Sequence, residues 1–207
     1  MVGGWLRAAP VLAFVLVLGA ASGPARAEDA AAARAVVERF YDGLLAVMRD
    51  GRRLGFEGRY QTLEPLVTGV FNLPVMTRIA VGPRWREFES AEQSRLQDRF
   101  AAFSIANYAS NFKSYDGERL EVTGTRDAPG GRIIVESRIV PGDGKPVEIN
   151  YLLERFDGRL RIIDVFLSGT ISELAARRSE FAAVLRRDGV SGLVALLEQR
   201  VREMRAG

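Results

Sequence analysis

The sequence predicts an α+β domain, with helices packed on a curved antiparallel sheet. Three observations predict it. Apolar residues recur at helical spacing through the first half of the chain, alternate at strand period through the middle, and return to helical spacing at the end. The alternating stretches are separated by Gly- and Asp-rich turn signals. The 207 residues, 47% hydrophobic and 27% charged, suit one folded unit rather than a disordered or repetitive chain.

The elements follow in order. Between Asp29 and Asp50, Val36, Val37, Phe40, Tyr41, Leu44, Leu45 and Met48 form one buried stripe, and Gly51 is the expected stop. A second helix is expected near Tyr60 to Thr68, weakened by Pro65. Asn72 is a good N-cap and Pro74 fits a first turn, so a short helix should run through Met76, Ile79 and Ala80 to Gly82. Ser90-Ala91-Glu92-Gln93 reads as a capping box opening a helix to Phe112, with Leu96, Phe100, Phe103 and Tyr108 broadly on one side.

Four strands should then form a meander. Leu120 and Val122 begin the first, and Ile133, Val135, Ser137 and Ile139 make the second row. Val147, Ile149, Tyr151 and Leu153 make the third. Arg161 to Leu167 is mostly apolar, as a strand covered on both faces would be. Pro141-Gly142-Asp143-Gly144 marks one turn, and Asp157-Gly158 suits a type I′ hairpin. Ser172 to Arg187 and Ser191 to Arg205 read as helices separated by Asp188-Gly189, the second with Leu193, Leu196, Leu197 and Val201 on one face.

Residues 1–27 read as an export signal: Arg7 charges the start, Val11 to Ala21 is apolar, and Ala25-Arg26-Ala27 is an A-x-A cleavage pattern. The apolar run is too short to span a bilayer, so cleavage after Ala27 is expected, leaving 28–207 as one soluble domain. The signal holds Arg7 and Arg26 and no acid, so its removal takes two from a net charge of +3. A nearly neutral mature chain gives little electrostatic support for a nucleic-acid partner.

The chain has no Cys and no His. That excludes disulfides, zinc fingers, histidine-based triads and His metal sites, and leaves carboxylate, Tyr, Lys or Ser chemistry, or none. No P-loop, Rossmann fingerprint or GxSxG occurs, no carboxylate pair stands out by spacing, and neither a metal nor a cofactor is expected.

Three stretches together resemble the MlaC family, periplasmic lipid carriers of the Mla (toluene-tolerance) pathway, which maintains the outer membrane. They are Phe71-Asn72-Leu73-Pro74-Val75-Met76-Thr77-Arg78-Ile79-Ala80-Val81-Gly82 followed by Trp85; the Gln93-to-Phe112 helix with Tyr108-Ala109; and Ile162-Ile163-Asp164-Val165-Phe166-Leu167-Ser168-Gly169 followed by Arg178-Ser179-Glu180-Phe181 and Leu185-Arg186-Arg187-Asp188-Gly189. The wording from Asp164 to Leu174 is most similar to the hopanoid-associated branch, often labelled HpnM. The resemblance implies a cone-shaped helix-and-sheet wedge holding phospholipid or hopanoid tails. It also implies partners: an inner-membrane ABC/MCE-type or RND-type transporter complex and an outer-membrane lipoprotein complex.

A lipid carrier must offset roughly 0.8 kcal/mol for each methylene otherwise exposed to water. Apolar strand rows facing helices suit that task, which makes Val135, Ile139, Val147, Ile149, Tyr151, Leu153, Val165 and Leu167 the sheet-side candidates. Phe71, Met76, Phe100 and Phe103 are the helical-side candidates, and Tyr108 and Tyr151 are amphipathic residues suited to a cavity mouth. All of them equally suit a packed core. Asp164 is conspicuous inside an apolar strand. Either it serves a ligand or acid–base chemistry, or it accepts structural hydrogen bonds from backbone N–H groups or an Arg. Arg177-Arg178 and Arg186-Arg187 suit either anionic head groups or a solvated helix face. Two rivals stand beside the carrier: an isomerase or hydrolase using Asp164 with Tyr108 or Tyr151, and an adaptor with a solid core.

Overall fold

The computed structural model describes residues 24–207, so the apolar part of the proposed export signal lies outside the described residues. Helix α1 (Pro24–Val70) is two arms joined at Gly55. Along a straight helix Gly43 and Leu66 would stand about 35 Å apart. Instead they touch: a Cβ on Gly43 would fall 2.4 Å from a Leu66 methyl. The break lies four residues beyond the expected stop at Gly51. Gly51 is small for a different reason, since a Cβ there would lie 2.3 Å from the Lys113 carbonyl oxygen. The second arm runs through Pro65 to Val70 because Leu63, Val67 and Val70 are buried, and packing overrides the local cost of proline.

Helix α2 (Leu73–Val81) begins as expected, with the Asn72 side chain accepting from the Val75 N–H at 3.2 Å. A 3₁₀ turn (Gly82–Glu87) leads to α3 (Ser90–Asn111). The capping box there sits one residue earlier than expected. Glu89 is the N-cap, and the Glu92 carboxylate accepts from its N–H at 3.1 Å.

The sheet has five strands, all antiparallel and in chain order: β1 (Arg119–Ala128), β2 (Arg132–Val140), β3 (Val147–Phe156), β4 (Arg159–Leu167) and β5 (Ile171–Ser172). Only the two-residue β5 is additional to the expected meander. Asp157 and Gly158 both have positive φ, 48° and 77°, as a type I′ turn demands. β4 is buried on both faces from Ile162 to Val165. Its register with β3 shifts between Leu152 and Leu153, so Ile163 is an extra residue on β4. Phe71 bridges to Ile162, and the Asn72 N–H donates to the Ile162 carbonyl at 2.8 Å, which moors the start of α2 to the sheet.

Helix α4 (Glu173–Ala206) also bends, at Gly189, and the second arm returns far enough for Arg200 to reach Glu180 at 3.2 Å. At one end of the sheet Ile133, Val135, Leu153 and Ile162 are packed in the core with the two arms of α1. The other end is not filled. None of the helices among the described residues is long and apolar enough to cross a membrane.

Candidate functional site

A cavity of about 610 Å³ lies between the sheet and the helices, open on one side. Its sheet wall is Ile139 of β2, Ile149 and Tyr151 of β3, and Val165 and Leu167 of β4. Register makes this a single face. Tyr151 pairs with Val165, Ile149 with Leu167 and Ile139 with Val147, and directly paired residues share a side. The helical wall comes from Met48 and Val67 on the two arms of α1, Leu73 and Met76 of α2, Phe100, Phe103 and Tyr108 of α3, and Leu174 of α4. Phe71 closes the floor.

The floor rests on aromatic packing. The Phe40 ring meets Phe71 and Tyr108 edge-on, both with centroids 5.1 Å apart, and Tyr108 stacks on Phe112 at 5.9 Å. Close by, the buried residues Tyr41, Ser137 and Asn150 are joined in one chain of hydrogen bonds. The Tyr41 hydroxyl lies 2.6 Å from Ser137 Oγ, the Ser137 N–H donates to Asn150 Oδ1 at 3.1 Å, and the Asn150 amide donates to the Gly169 carbonyl at 3.2 Å. Burial pushes the phenols of Tyr108 and Tyr151 well above the ordinary value, and each is pushed further by the neighbouring Tyr41. Both phenols are therefore neutral and cannot serve as bases near neutral pH.

Polarity is confined to the rim. Ser104, Asn107 and Asn111 follow one edge of α3 at helical spacing, and Lys113, Ser114 and Glu118 continue from its end. Glu173 and Arg177, from the first turns of α4, complete it. The Arg177 guanidinium lies 4.6 Å from the Phe103 ring centroid. The sheet face also continues outward. Leu167 is part of the wall yet 36% exposed, and its β5 partner Ile171 is 58% exposed, so apolar surface runs from the interior to the outside.

Of the residues singled out from sequence, Phe71, Met76, Phe100, Phe103, Tyr108, Ile139, Ile149, Tyr151, Val165 and Leu167 surround this cavity. Val135 and Leu153 do not reach it: both are fully buried in the packed end of the sheet. Val147 lies beyond the mouth, 47% exposed. Of the rim residues only Arg177 was singled out from sequence; Ser104, Asn107, Asn111, Lys113, Ser114, Glu118 and Glu173, with Met48, Val67, Leu73 and Leu174, were not anticipated. The polar edge at Ser104, Asn107 and Asn111, beside the apolar stripe of α3, is the signal that marks them.

Asp164 stands outside the cavity. It pairs with Leu152 on the opposite side of the sheet from Tyr151 and Val165. Its Oδ1 accepts from the N–H groups of Val165 at 2.8 Å and Leu174 at 3.3 Å, and its Oδ2 from the Ser172 hydroxyl at 2.6 Å. It is the structural acceptor that joins β4 to the start of α4, and it does not converge with Tyr108 or Tyr151 on any cavity atom. The acid–base rival built on that pairing loses its geometry, and the solid-core adaptor is contradicted by the cavity. Among the described residues no group of three or more carboxylates is placed to hold a metal ion.

An α+β wedge, closed at one end and hollow at the other, with an apolar interior and a polar rim, is the architecture of a protein that encloses an amphiphile. The sequence profile of the MlaC protein matches residues 38–199, and the chain belongs to the MlaC family. Its structure is similar to that of a phospholipid-binding protein from Ralstonia solanacearum solved in complex with a phospholipid. The two are 25% identical with a TM-score of 0.73, over 83% of this chain and 98% of the other. No curated protein matches the sequence significantly.

Proposed function

We propose that this protein is an exported lipid carrier that holds the tails of a phospholipid-class amphiphile in the cavity and shuttles it between membranes. The observation that carries the proposal is the hollow end of the sheet, where a continuous apolar face runs from Tyr151 and Val165 out past Leu167 to exposed Ile171. Burying each methylene there recovers roughly 0.8 kcal/mol, so many carbons are held without directed bonds. Family membership and the phospholipid bound by the Ralstonia protein support the same reading.

The proposal includes removal of residues 1–27 on export to the periplasm, with 28–207 as the lipid-binding domain. The lipid enters from a donor complex in one membrane, crosses the Leu167–Ile171 lip as helix and sheet separate slightly, and leaves to an acceptor complex in the other. The family resemblance supplies the candidates: an ABC/MCE-type or RND-type assembly inside and a lipoprotein complex outside. No step of this needs bond chemistry.

The test is purification from the native host, followed by lipid extraction and mass spectrometry. Near-stoichiometric lipid is expected, and its mass distinguishes phospholipid from hopanoid. Material that carries no lipid, and takes up none when offered, ends the proposal.

A further inference from the structure

A second cavity, of about 220 Å³, adjoins the first. The two share Phe103, Asn107 and Arg177, and the second is completed by Arg200, Glu203 and Met204 from the returning arm of α4. Its chemistry differs from that of the first: one hollow is walled by apolar side chains, while the other places two guanidiniums and a carboxylate around a small space. We infer that this second cavity seats the polar end of the bound amphiphile, with a phosphate taken by Arg177 and Asn107 at the junction and by Arg200 beyond it. The inference rests on the carrier reading and adds to it a seat for the head group.

The geometry at the junction favours a phosphate. The Phe103 ring lies 4.6 Å beneath the Arg177 guanidinium and holds it at the boundary between the two spaces. Its carboxylate neighbours are loose, Glu173 at 3.4 Å and Glu180 at 3.8 Å. Well-formed guanidinium–carboxylate bonds are shorter, about 2.7–2.9 Å, so the donors of Arg177 are not saturated. Asn107 Oδ1 already accepts from the Asn111 amide at 3.1 Å, so it presents its NH2 group to a ligand. Arg200 is held by one contact, to Glu180 at 3.2 Å. Glu203 faces the same space and suits a cationic group carried beyond the phosphate. A neutral diacylglycerol fills the first cavity equally well and offers nothing to the second.

The experiment uses delipidated protein and measures the affinities of phosphatidylethanolamine and of diacylglycerol with the same acyl chains. Wild type is expected to prefer the phospholipid. Arg177→Gln should lower that preference about tenfold, the scale of one charge-assisted hydrogen bond. Arg200→Gln should lower it about threefold, being further from the junction, and serves if Arg177→Gln does not fold. Arg126→Gln, whose partner is Glu136 on the far strands, should leave the ratio as in wild type. A ratio unchanged by Arg177→Gln and Arg200→Gln overturns the inference. So does a wild type that binds both lipids equally, while leaving the carrier reading standing. A wild type that binds neither lipid overturns both.

Discussion

Arg59 shows how a single side chain can hold several segments together. It is 8% exposed and has no carboxylate partner among the described residues. Its guanidinium donates to the Ala109 carbonyl at 2.7 Å and the Gly51 carbonyl at 2.8 Å. One lies in the last turn of α3, the other near the end of the first arm of α1, so the cation sits where two helix dipoles are negative. Arg59→Met should lower stability by about 3 kcal/mol in chemical denaturation, because two buried carbonyls lose their donor. Asp164 was legible as an anomaly because a carboxylate in an apolar strand must have partners. Arg59 was not, since one arginine among 29 basic residues carries no mark in the sequence. The tyrosines give a pH dependence. In the unfolded chain their phenols ionise near the ordinary value of 10.0, whereas burial keeps Tyr41, Tyr108 and Tyr151 protonated when folded. Above about pH 10 the folded state binds more protons than the unfolded one, so stability falls as pH rises, and below that these phenols leave it unchanged. Denaturant midpoints from about pH 9 to 11 should show that loss, and Tyr108→Phe should make it shallower.

Among the secondary elements, the strands were the most readable. Period-two rows bounded by Asp157-Gly158 and Pro141-Gly142-Asp143-Gly144 leave little choice of register once one face is buried. The two-residue β5 escaped because so short a segment has no period. The break at Asp188-Gly189 was legible, and the one in α1 was harder to read. Gly51, Gly55 and Gly58 lie close together in one apolar stripe, and only the tertiary fold decides which of them turns the chain. Gly55 (φ 61°, ψ −176°) and Gly189 (φ 65°, ψ −164°) both adopt a conformation open essentially to glycine alone. Neither would meet another atom if given a Cβ, so steric crowding is not the obstacle. Gly55→Ala and Gly189→Ala should each cost about 1–3 kcal/mol, purely through backbone conformation, read as a lowered Tm of the purified protein. Equal stability of either variant with wild type would mean that its two arms are joined differently.

The whole molecule poses the question that the sequence left open. Ile149 and Leu153 lie on the same strand and, by alternation, the same face, yet one borders a cavity and the other is in the packed core. Nothing in residue type separates them. The difference comes from what covers each: Leu153 is packed in the core with residues of both arms of α1, while the space over Ile149, bordered by α1, α2, α3 and the start of α4, is left unfilled. That contrast is measurable within one strand. Enlarging a side chain in a filled core costs about 1–3 kcal/mol, because neighbours must move. Leu153→Phe should therefore destabilise the lipid-free protein by that amount. Ile149→Phe should cost less than about 1 kcal/mol, because the added atoms enter vacant space and gain contacts there. The same substitution occupies room the tails need, so bound lipid after extraction should fall for Ile149→Phe. If lipid stabilises the fold by mass action, saturating lipid should raise the Tm of wild type more than that of Ile149→Phe. Equal losses of stability for the two substitutions would show that both ends of the sheet are filled, and a filled interior has no place for a tail.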